Sequence, residues 1–391
     1  DLMLNTVNDI VVDQKFIYTA DDYGMIRQLE KDKWFQNQVF RGKLGKINSL
    51  DQSNDGRYLI AAGNNKSAVV WDLEENRVVK VMKGIVSRVN DIAFSENGQN
   101  ILVVYEDGSM RNTNLITNLT VANRLSIASD VLSKVGHFSI CRIVEFNEEY
   151  AVLDALYKQS SIDMEGIFDR LQQFKVKWNF ESNLVEMELM KDLEPQHEQY
   201  VQDLKKGVYH DNMYFQDTTL RAASSEKMKI EASVSGSDIV LTSNGQTSRF
   251  SSGHSDIITS LAINEKYGFL ASSSWDGMIR FWDIKSAKLL TVFGAFGDGQ
   301  FVYIDPDGYY FSSKNALSFI GFSIGNQMFS FEQFDLKYNR PDLVIRDLPY
   351  FDDFYQEAFE KAYHKRLSKL GLSEEELEIS KNIPTLEITN N

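Results

Sequence analysis

The sequence has few of the residues on which several classes of protein depend. Its 391 residues include one cysteine, Cys141, so an internal disulfide is excluded and a reducing compartment, the cytoplasm, is expected. Five histidines are present, and no two are three or four residues apart, so the ligand spacing of a zinc site is missing. No apolar run reaches the roughly 18 residues of a membrane-spanning helix. We therefore predict neither a metal site nor a membrane segment.

Basic residues are also in deficit. Lysine and arginine number 41 against 56 acidic residues, which gives a net charge of −15. Nucleic-acid binding depends on basic clusters that neutralise phosphates. The densest basic stretch, residues 361–369, follows Glu357 and Glu360 on the same predicted helix, which is typical of a solvated helix face. We therefore expect no nucleic-acid partner.

The arrangements that support catalysis or cofactor binding are missing too. Cys141 lies in an alternating, strand-like segment without glycine-rich surroundings, so it is predicted to be a core thiol rather than a nucleophile. Residues 305–308 (DPDG) lack the later ligands of a calcium loop and are predicted to form a turn. The glycines at 294, 297 and 299 open no helix, so they form no phosphate cradle. The prediction is a protein without a cofactor that is not an enzyme.

What the sequence does contain is a repeat. Residues 270–283 (LASSSWDGMIRFWD) match residues 59–72 (LIAAGNNKSAVVWD) in length and in the final Trp-Asp pair. Residues 101–114 (ILVVYEDGSMRNTN) keep the Asp-Gly turn, and residues 18–30 (YTADDYGMIRQLE) share Gly-Met-Ile-Arg with the first copy. Short alternating strands separated by such turns are typical of a closed all-β architecture.

These residues, with the Gly253-His254 pair ahead of the first copy, resemble the WD-repeat family of β-propellers. The resemblance implies about seven four-stranded blades over residues 1–344, followed by a short helical extension over residues 345–391. It also implies a hydrogen-bonded structural tetrad made by His254, one of Ser272 and Ser274, Asp276 and Trp282. Only this copy has the full set, because Asn65, Leu29 and Ile85 replace tetrad residues in the other copies.

The repeat signal is weak between residues 124 and 252. Strand-like runs there supply two blades with enlarged loops. Residues 162–171 are predicted to form a helical insertion in the first of these blades, and residues 194–204 a connector to the second. Residues 301–311 are predicted to form the first hairpin of a last blade. The count is seven, with six and eight as alternatives.

The extension has its own pattern. Aromatic and apolar residues recur at helical spacing over residues 351–370, with Asp352 or Asp353 as a cap and Gly371 as a stop. Ser373 and Glu376 predict a capping box for a short second helix, and residues 386–388 a lone strand. The helix either packs on the outside of the ring or docks the ring to a following domain.

A narrower resemblance covers residues 297–391. The segments DGYY (307–310), EQFD (332–335), YNRPD (338–342) and AYHKRL (362–367) look like the junction in large bacterial WD-repeat proteins, some of which carry a caspase-like peptidase domain. That resemblance implies a regulatory or recognition module beside an effector domain. The chain begins with Asp1 and shows no leader, so we expect a piece of a longer protein from which a signal peptide could have been removed.

Two functions follow as alternatives. The first is a protein-interaction scaffold that uses the loops of the ring's top face, and the second is an enzyme module with an active site on the ring axis. Polar residues on the predicted innermost strands look small and scattered, which favours the scaffold. The resemblance places the following residues on the top face, with Trp275 as the anchor and with acidic members that favour a basic protein partner: Asp22, Asn64, Glu106, Ser255, Asp256 and Trp275.

Overall fold

The computed structural model describes residues 6–13, 15–30, 36–82, 87–125, 135–163, 166–193, 222–225, 227–295, 300–324, 327–349 and 351–377. Among them, the first twenty-four strands form six antiparallel sheets of four consecutive strands each, and two further strands extend the last sheet to six. These sheets are the blades of a propeller, so the all-β prediction is confirmed. The described residues form six blades, which is one of the alternatives to the predicted count of seven.

The strands of the first three blades follow the sequence copies. Blade 1 consists of β1 Val7–Val12, β2 Phe16–Asp21, β3 Met25–Glu30 and β4 Gln36–Arg41. Blade 2 consists of β5 Ile47–Gln52, β6 Tyr58–Gly63, β7 Ser67–Asp72 and β8 Arg77–Met82. Blade 3 consists of β9 Val89–Phe94, β10 Asn100–Tyr105, β11 Ser109–Asn114 and β12 Thr120–Arg124.

The strands of the last three blades lie further along the chain. Blade 4 consists of β13 Val135–Phe146, β14 Tyr150–Asp163, β15 Gly166–Asn179 and β16 Val185–Leu193. Blade 5 consists of β17 Ala222–Ser225, β18 Ile230–Ser235, β19 Asp238–Ser243 and β20 Gln246–Ser251. Blade 6 consists of β21 Ile258–Asn264, β22 Phe269–Ser274, β23 Met278–Asp283 and β24 Leu289–Ala295.

Stacking of the blades explains the burial pattern. Five successive residues of β6, from Leu59 to Gly63, are buried because both faces of the sheet pack on neighbouring blades. The outermost strand β8 is mostly exposed. Between the second and third strands the chain turns tightly, and Gly277 in blade 6 has a φ of +79°, which a residue with a Cβ rarely adopts. Apolar packing between blades therefore holds the ring together, and the turns set its register.

Antiparallel pairing determines which loops share a face. The start of β1 lies opposite the end of β2, where Val7 pairs with Asp21, and β2 then turns into β3. In every blade, the segment leading into the innermost strand and the turn between the second and third strands therefore lie on the same side. We call this side the top face.

Blade 4 contains a long projection in place of the predicted helix at residues 162–171. The strands β14 and β15 pair continuously from Tyr150–Asn179 to Asp163–Gly166, and β13 pairs with β14 as far as Val135–Ser160. Some eight residues of β14 extend beyond the level at which other blades turn, which is about 25 Å of strand. We call this projection the β-arm, and it rises from the top face. The predicted connector, residues 194–204, lies outside the described residues.

The hairpin predicted to begin a last blade is added to blade 6 instead. Strand β25 (Phe301–Ile304) pairs with β24, and β26 (Tyr310–Ser312) pairs with β25, so blade 6 becomes a six-stranded sheet. Two further strands, β27 (Gly321–Ile324) and β28 (Gln327–Ser330), form a separate two-stranded sheet. The expected strand material is present, but it is used at an edge rather than as a seventh blade.

Three helices follow: α1 (Asp335–Tyr338), α2 (Pro341–Arg346) and α3 (Asp353–Leu370). The side chain of Asp352 accepts from the backbone N–H of Phe354 at the start of α3, and Gly371 ends α3 with a left-handed φ of +69°. A short 3-10 turn follows at Glu375–Leu377, where the Glu376 carboxylate accepts from the N–H of Ser373. The boundary expected after residue 344 falls inside α2, and the strand expected at residues 386–388 lies outside the described residues.

The helical segment packs across the junction between blades 6 and 1. One apolar cluster contains Val7 and Ile17 of blade 1, Phe281 of blade 6, and Val344 and Ile345 of α2. Phe351, which precedes α3, and Tyr355 and Phe359 on α3 pack against the same cluster, while Phe354 stays 70% exposed. The aromatic stripe thus lies on the outside of the ring, as the simpler of the two sequence-based alternatives expects.

Candidate functional site

The tetrad residues lie together in blade 6. The His254 Nδ1 is 2.9 Å from Asp276 Oδ2, and its Nε2 is 2.9 Å from Ser272 Oγ. The same hydroxyl accepts from Trp282 Nε1 at 3.1 Å, so Ser272 occupies the serine position, and Ser274 instead accepts from the N–H of Asp276. The His254 side chain is fully buried, which leaves no room for a substrate beside this Ser-His-Asp arrangement. That geometry can hold strands together; it cannot present a nucleophile.

The electrostatics of the tetrad agree with this arrangement. Burial opposes ionisation of Asp276, but hydrogen bonds from His254 and from the N–H groups of Met278 and Ser255 hold the pKa of its carboxyl below the ordinary value. The carboxylate therefore stays charged and bonded, so it orients the imidazole.

Of the six residues predicted to form the top-face surface, Trp275 and Glu106 line the opening of a cavity on the ring axis. Asp22 accepts a hydrogen bond from the cavity-lining residue Asn8, and Asn64 accepts one from Asn48. Ser255 and Asp256 are exposed in the loop that enters blade 6, and they do not line the cavity. The structure thus brings four of the six to the axial opening.

Lys46 connects two of these residues, although nothing in its sequence context singles it out. Its ammonium lies 3.0 Å from Asp22 Oδ1 and 5.1 Å from the centre of the Trp275 ring. The contact with the ring face is a cation–π interaction. It joins the loop between blades 1 and 2 to a turn of blade 6, across the ring junction. Trp275 is therefore half-buried under a lysine rather than freely exposed.

The axial cavity has a volume of about 550 Å³ and is lined by the innermost strands. Equivalent positions of these strands form layers down the axis. The second position carries Asn8, Asn48, Asn90 and Thr259, the third carries Asp9, Ser49, Asp91 and Ser260, and the fifth carries Val11, Asp51, Ala93 and Ala262. The axis is thus more polar and more acidic than the sequence pattern predicted.

Hydrogen bonds link the blades around this axis. The Asp9 carboxylate accepts from the N–H of Leu50 in the next blade at 2.7 Å. Asp51 accepts in the same way from Phe94 at 2.6 Å, and Asp91 from Ile143 at 2.7 Å. Each of these aspartates therefore ties its own blade to the blade that follows.

The position of these carboxylates changes their acidity. Burial raises the pKa of Asp9 to about 6 despite hydrogen bonds from Leu50 and Ser260, and nearby Asp91 adds to the rise. Burial also raises the pKa of Asp51 to about 7, and the other two aspartates contribute to it. The pKa of Asp91 is raised for the same main reason. Three acids on one axis thus disfavour full ionisation.

Two absences concern only the described part of the chain. No group of three or more histidine, cysteine, aspartate or glutamate residues is arranged there to hold a metal ion. None of its helices is long and apolar enough to cross a membrane.

Comparisons with known proteins agree with the repeat. The profile of the family "WD domain, G-beta repeat" matches residues 34–72 and 245–283, which lie in blades 1 to 2 and 5 to 6. The beta chain of the guanine nucleotide-binding protein of Schizosaccharomyces pombe is 30% identical over 111 residues, covering 28% of this chain and 33% of that protein. One component of chromatin assembly factor 1, from Gallus gallus, is 26% identical over 103 residues, covering 26% of this chain and 18% of that protein. The matched part thus spans a third or less of either relative.

Solved structures resemble the chain only distantly. The β-propeller domain of Cps50 (Swd1) from Myceliophteria thermophila gives a TM-score of 0.49 at 11% identity, covering 72% of this chain and 99% of that one. The structure of U3-55K gives a TM-score of 0.45 at 12% identity, covering 70% and 89%. The identification rests instead on the two matched repeats and the six blades of this structure. The chain is thus a six-bladed β-propeller that contains two segments matching the WD repeat.

Proposed function

We propose that this chain is a non-catalytic protein-interaction scaffold whose partner binds the top face around the axial opening. WD40 propellers generally bind proteins, and propellers of the kind found in the two relatives above are typically non-catalytic. The observation that carries the proposal is the convergence of Trp275, Lys46 and Asp22 beside a cavity that opens between them. A half-buried tryptophan at the edge of a cavity has the features of an interface anchor.

The partner is expected to be basic where it meets this face. Lys46 is neutralised by Asp22, whereas Glu106 and Asp256 are exposed. Association with an acidic surface should slow as salt rises, because screening weakens long-range steering. We also propose that the chain is the recognition or regulatory module of a larger cytoplasmic, bacterial protein with a caspase-like effector domain. The motifs of residues 297–391 support this wider proposal, which the gene sequence after Asn391 would test. The exposed ring of Phe354 would then contact that domain.

The test places a photo-crosslinking amino acid at position 275 or 256 on the top face, and at position 54 or 96 on the opposite face. Asn54 and Glu96 are exposed in turns between the first and second strands, so they serve as matched controls. Partners should crosslink to the top-face positions only, and Trp275→Ala should reduce their recovery without changing the melting temperature by more than a degree or two. Crosslinks confined to positions 54 and 96 would contradict the proposal.

One observation favours the enzyme alternative. Asp9 and Asp51 lie on the ring axis with pKa values raised to about 6 and about 7, within the range of general acids and bases. However, each carboxylate also accepts a hydrogen bond from a backbone N–H of the next blade, so each has a structural role in joining two blades. If the axis were catalytic, Asp9→Asn would abolish a measurable turnover while leaving partner binding intact.

A further inference from the structure

Helix α3 has an outward side that is exposed along its length in the part of the chain that the structure describes. Its inward side packs on the ring, where Tyr355 and Phe359 contact the apolar cluster of blades 6 and 1. Further along the inward side, Tyr363 and Leu367 are buried. The helix has 18 residues and is about 27 Å long. Its outward face consists of the following exposed residues: Phe354, Glu357, Ala358, Lys361, Ala362, Lys365 and Lys369.

The charged residues of α3 are divided between its two halves. The first half, with the cap residue, contains four acidic side chains and no basic one: Asp352, Asp353, Glu357 and Glu360. The second half contains five basic side chains, counting histidine, and no acidic one: Lys361, His364, Lys365, Arg366 and Lys369. The helix itself explains part of this division, because the charges complement its dipole and Lys361 pairs with Glu357 at 3.2 Å. Lys365 and Lys369, however, form no ion pair with another described residue.

Exposed apolar groups lie at both ends of α3, and the helix dipole does not account for them. In the first turn, the ring of Phe354 points to solvent. At the other end, Leu370 and Leu372 are exposed. Between the two ends, Ala358 and Ala362 are exposed, and their short side chains allow the axis of a second helix to come close. These are features of a helix that packs against a partner.

The outward face is complementary to itself in one orientation. If two copies place their α3 helices side by side and antiparallel, about a two-fold axis near residue 361, the acidic half of each helix lies against the basic half of the other. The ring of Phe354 then lies beside the end of the other helix, near Leu372. A parallel arrangement would place acid against acid and base against base, and like charges across an interface are unfavourable. Charge complementarity therefore selects a second copy, in the antiparallel orientation, as the occupant.

We propose that the outward face of α3 binds the same face of a second copy of this chain in an antiparallel, two-fold dimer. The contact involves none of the top-face residues, so it goes beyond the proposed function, and a dimer offers two top faces to a partner. It uses Phe354, which the wider proposal above assigns to a following domain, so the two contacts exclude each other. One helix face is small for a specific interface, so the dimer should form at micromolar rather than nanomolar concentrations.

Sedimentation equilibrium of the full chain measures this dimer directly. We expect a monomer–dimer equilibrium between about 5 and 300 µM in 50 mM NaCl, and a weaker dimer in 500 mM NaCl, because salt screens exposed charges. Phe354→Ser removes the ring without changing the charge, and it should raise the dissociation constant of the dimer at least fivefold. Trp275→Ala, on the top face, should leave that constant unchanged.

Two charge-reversal variants test the orientation. Glu357→Lys with Glu360→Lys makes the helix mainly basic, and Lys365→Glu with Lys369→Glu makes it mainly acidic. Each variant alone should dimerise at least tenfold more weakly than wild type, because like charges then meet in the antiparallel orientation. Mixed in equal amounts, the two variants should form a heterodimer whose dissociation constant is within about threefold of the wild-type value.

The matched control reverses two charges elsewhere. Lys285→Glu with Lys288→Glu changes an exposed turn of blade 6 and should leave the dimer unaffected. The proposal would be overturned by a wild-type chain that stays monomeric at 300 µM, which would leave Phe354 to the following domain. It would equally be overturned by a dimer that is indifferent to the charge reversals on α3. Two weakened variants whose mixture does not associate would also overturn it, because the reversals would then only have disturbed the helix.

Discussion

Replacing Asp51 by asparagine should stabilise the ring at alkaline pH. The carboxyl has a pKa near 3.8 in the unfolded chain and about 7 in the ring, so between these values the folded state holds a proton that the unfolded state has lost. Stability must therefore fall as pH rises through that window and level off above about pH 8. A pKa that is higher by about 3 in the folded state corresponds to about 4 kcal/mol of stability for one group. Asparagine has no charge to suppress, so its stability should not fall in this way.

The substitution also has a cost, which sets the expected net result. The amide oxygen of the variant can still accept from the N–H of Phe94, but its NH₂ group faces the N–H of Gln52 where a carboxylate oxygen accepted. One lost hydrogen bond costs about 1 kcal/mol. A net gain of about 3 kcal/mol at pH 8 corresponds to a rise of about 3–4 °C in melting temperature for a chain of this length. At pH 5.5 only about half of the penalty on the wild-type carboxyl applies, so the net gain should fall to about 1 kcal/mol.

Scanning calorimetry at pH 5.5 and pH 8 measures this directly. Asp51→Ala separates charge from hydrogen bonding, because it removes the acceptor of Phe94 and should destabilise at both pH values. Asp347→Asn is the matched control, since Asp347 is exposed and should give the same small effect at both. If Asp51→Asn lowered the melting temperature equally at pH 5.5 and pH 8, the carboxylate would not be penalised on the axis, and the reasoning would be refuted.

Three further predictions concern the rest of the ring. Trp282→Ala should lower the free energy of unfolding by about 3–5 kcal/mol. Trp282→Phe keeps most of the ring but loses the N–H, so it should cost less than half of that. Equal losses for the two variants in urea unfolding would contradict this division between ring packing and the hydrogen bond. Arg340 lies 2.7 Å from the Asp342 carboxylate and 3.8 Å from the centre of the Tyr363 ring on α3. Arg340→Ala should therefore leave Asp342 buried without its ion-pair partner and make α3 susceptible to cleavage by small amounts of trypsin. Unchanged protection of α3 from trypsin would contradict this. Gly63→Ala should displace the loop of Lys46, because a Cβ there would lie 2.5 Å from the Lys46 carbonyl; a variant with wild-type stability and partner binding would show that the loop adapts freely.

The parts of the fold that the sequence predicted are those with strong local signals. Blade 6 has its turn glycine, its Trp-Asp pair and alternating strands in one short stretch, so β21 to β24 could be located before the structure. The cap at Asp352 and the stop at Gly371 likewise depend on residues next to the helix. In each case the determining interaction is close in sequence.

The β-arm and the blade count could not be obtained in this way. Ile162, Ile167, Phe168 and Leu171 recur at helical spacing, yet their segment pairs as strands, because residues 166–171 of β15 lie opposite residues 158–163 of β14. The hairpin of β25 and β26 has the sequence of a blade's beginning, and only the free edge of β24 decides that it joins blade 6. Tertiary pairing outweighed the local pattern in both cases.

The axial site was hidden for a different reason. An aspartate in an alternating strand, such as Asp9 or Asp91, usually faces solvent, and its sequence neighbours do not show that five other strands converge opposite it. Only ring closure turns these separate polar positions into one acidic cavity. The repeated Asn-Asp or Asn-Ser pair in β1, β5 and β9 was the available signal.

Because each blade uses four consecutive strands, no strand is exchanged between the first blade and the last among the residues described. The junction between them depends on side chains: Thr259 donates to the Val7 carbonyl at 2.6 Å, Asn264 donates to the Asp13 carbonyl at 2.8 Å, and α2 packs across both blades. Strand pairing within a blade joins strands that follow one another in the sequence, whereas these bonds join residues about 250 positions apart. Formation of the ring should therefore have a late and slow step, in which an already bladed but open chain closes once the C-terminal segment has been synthesised.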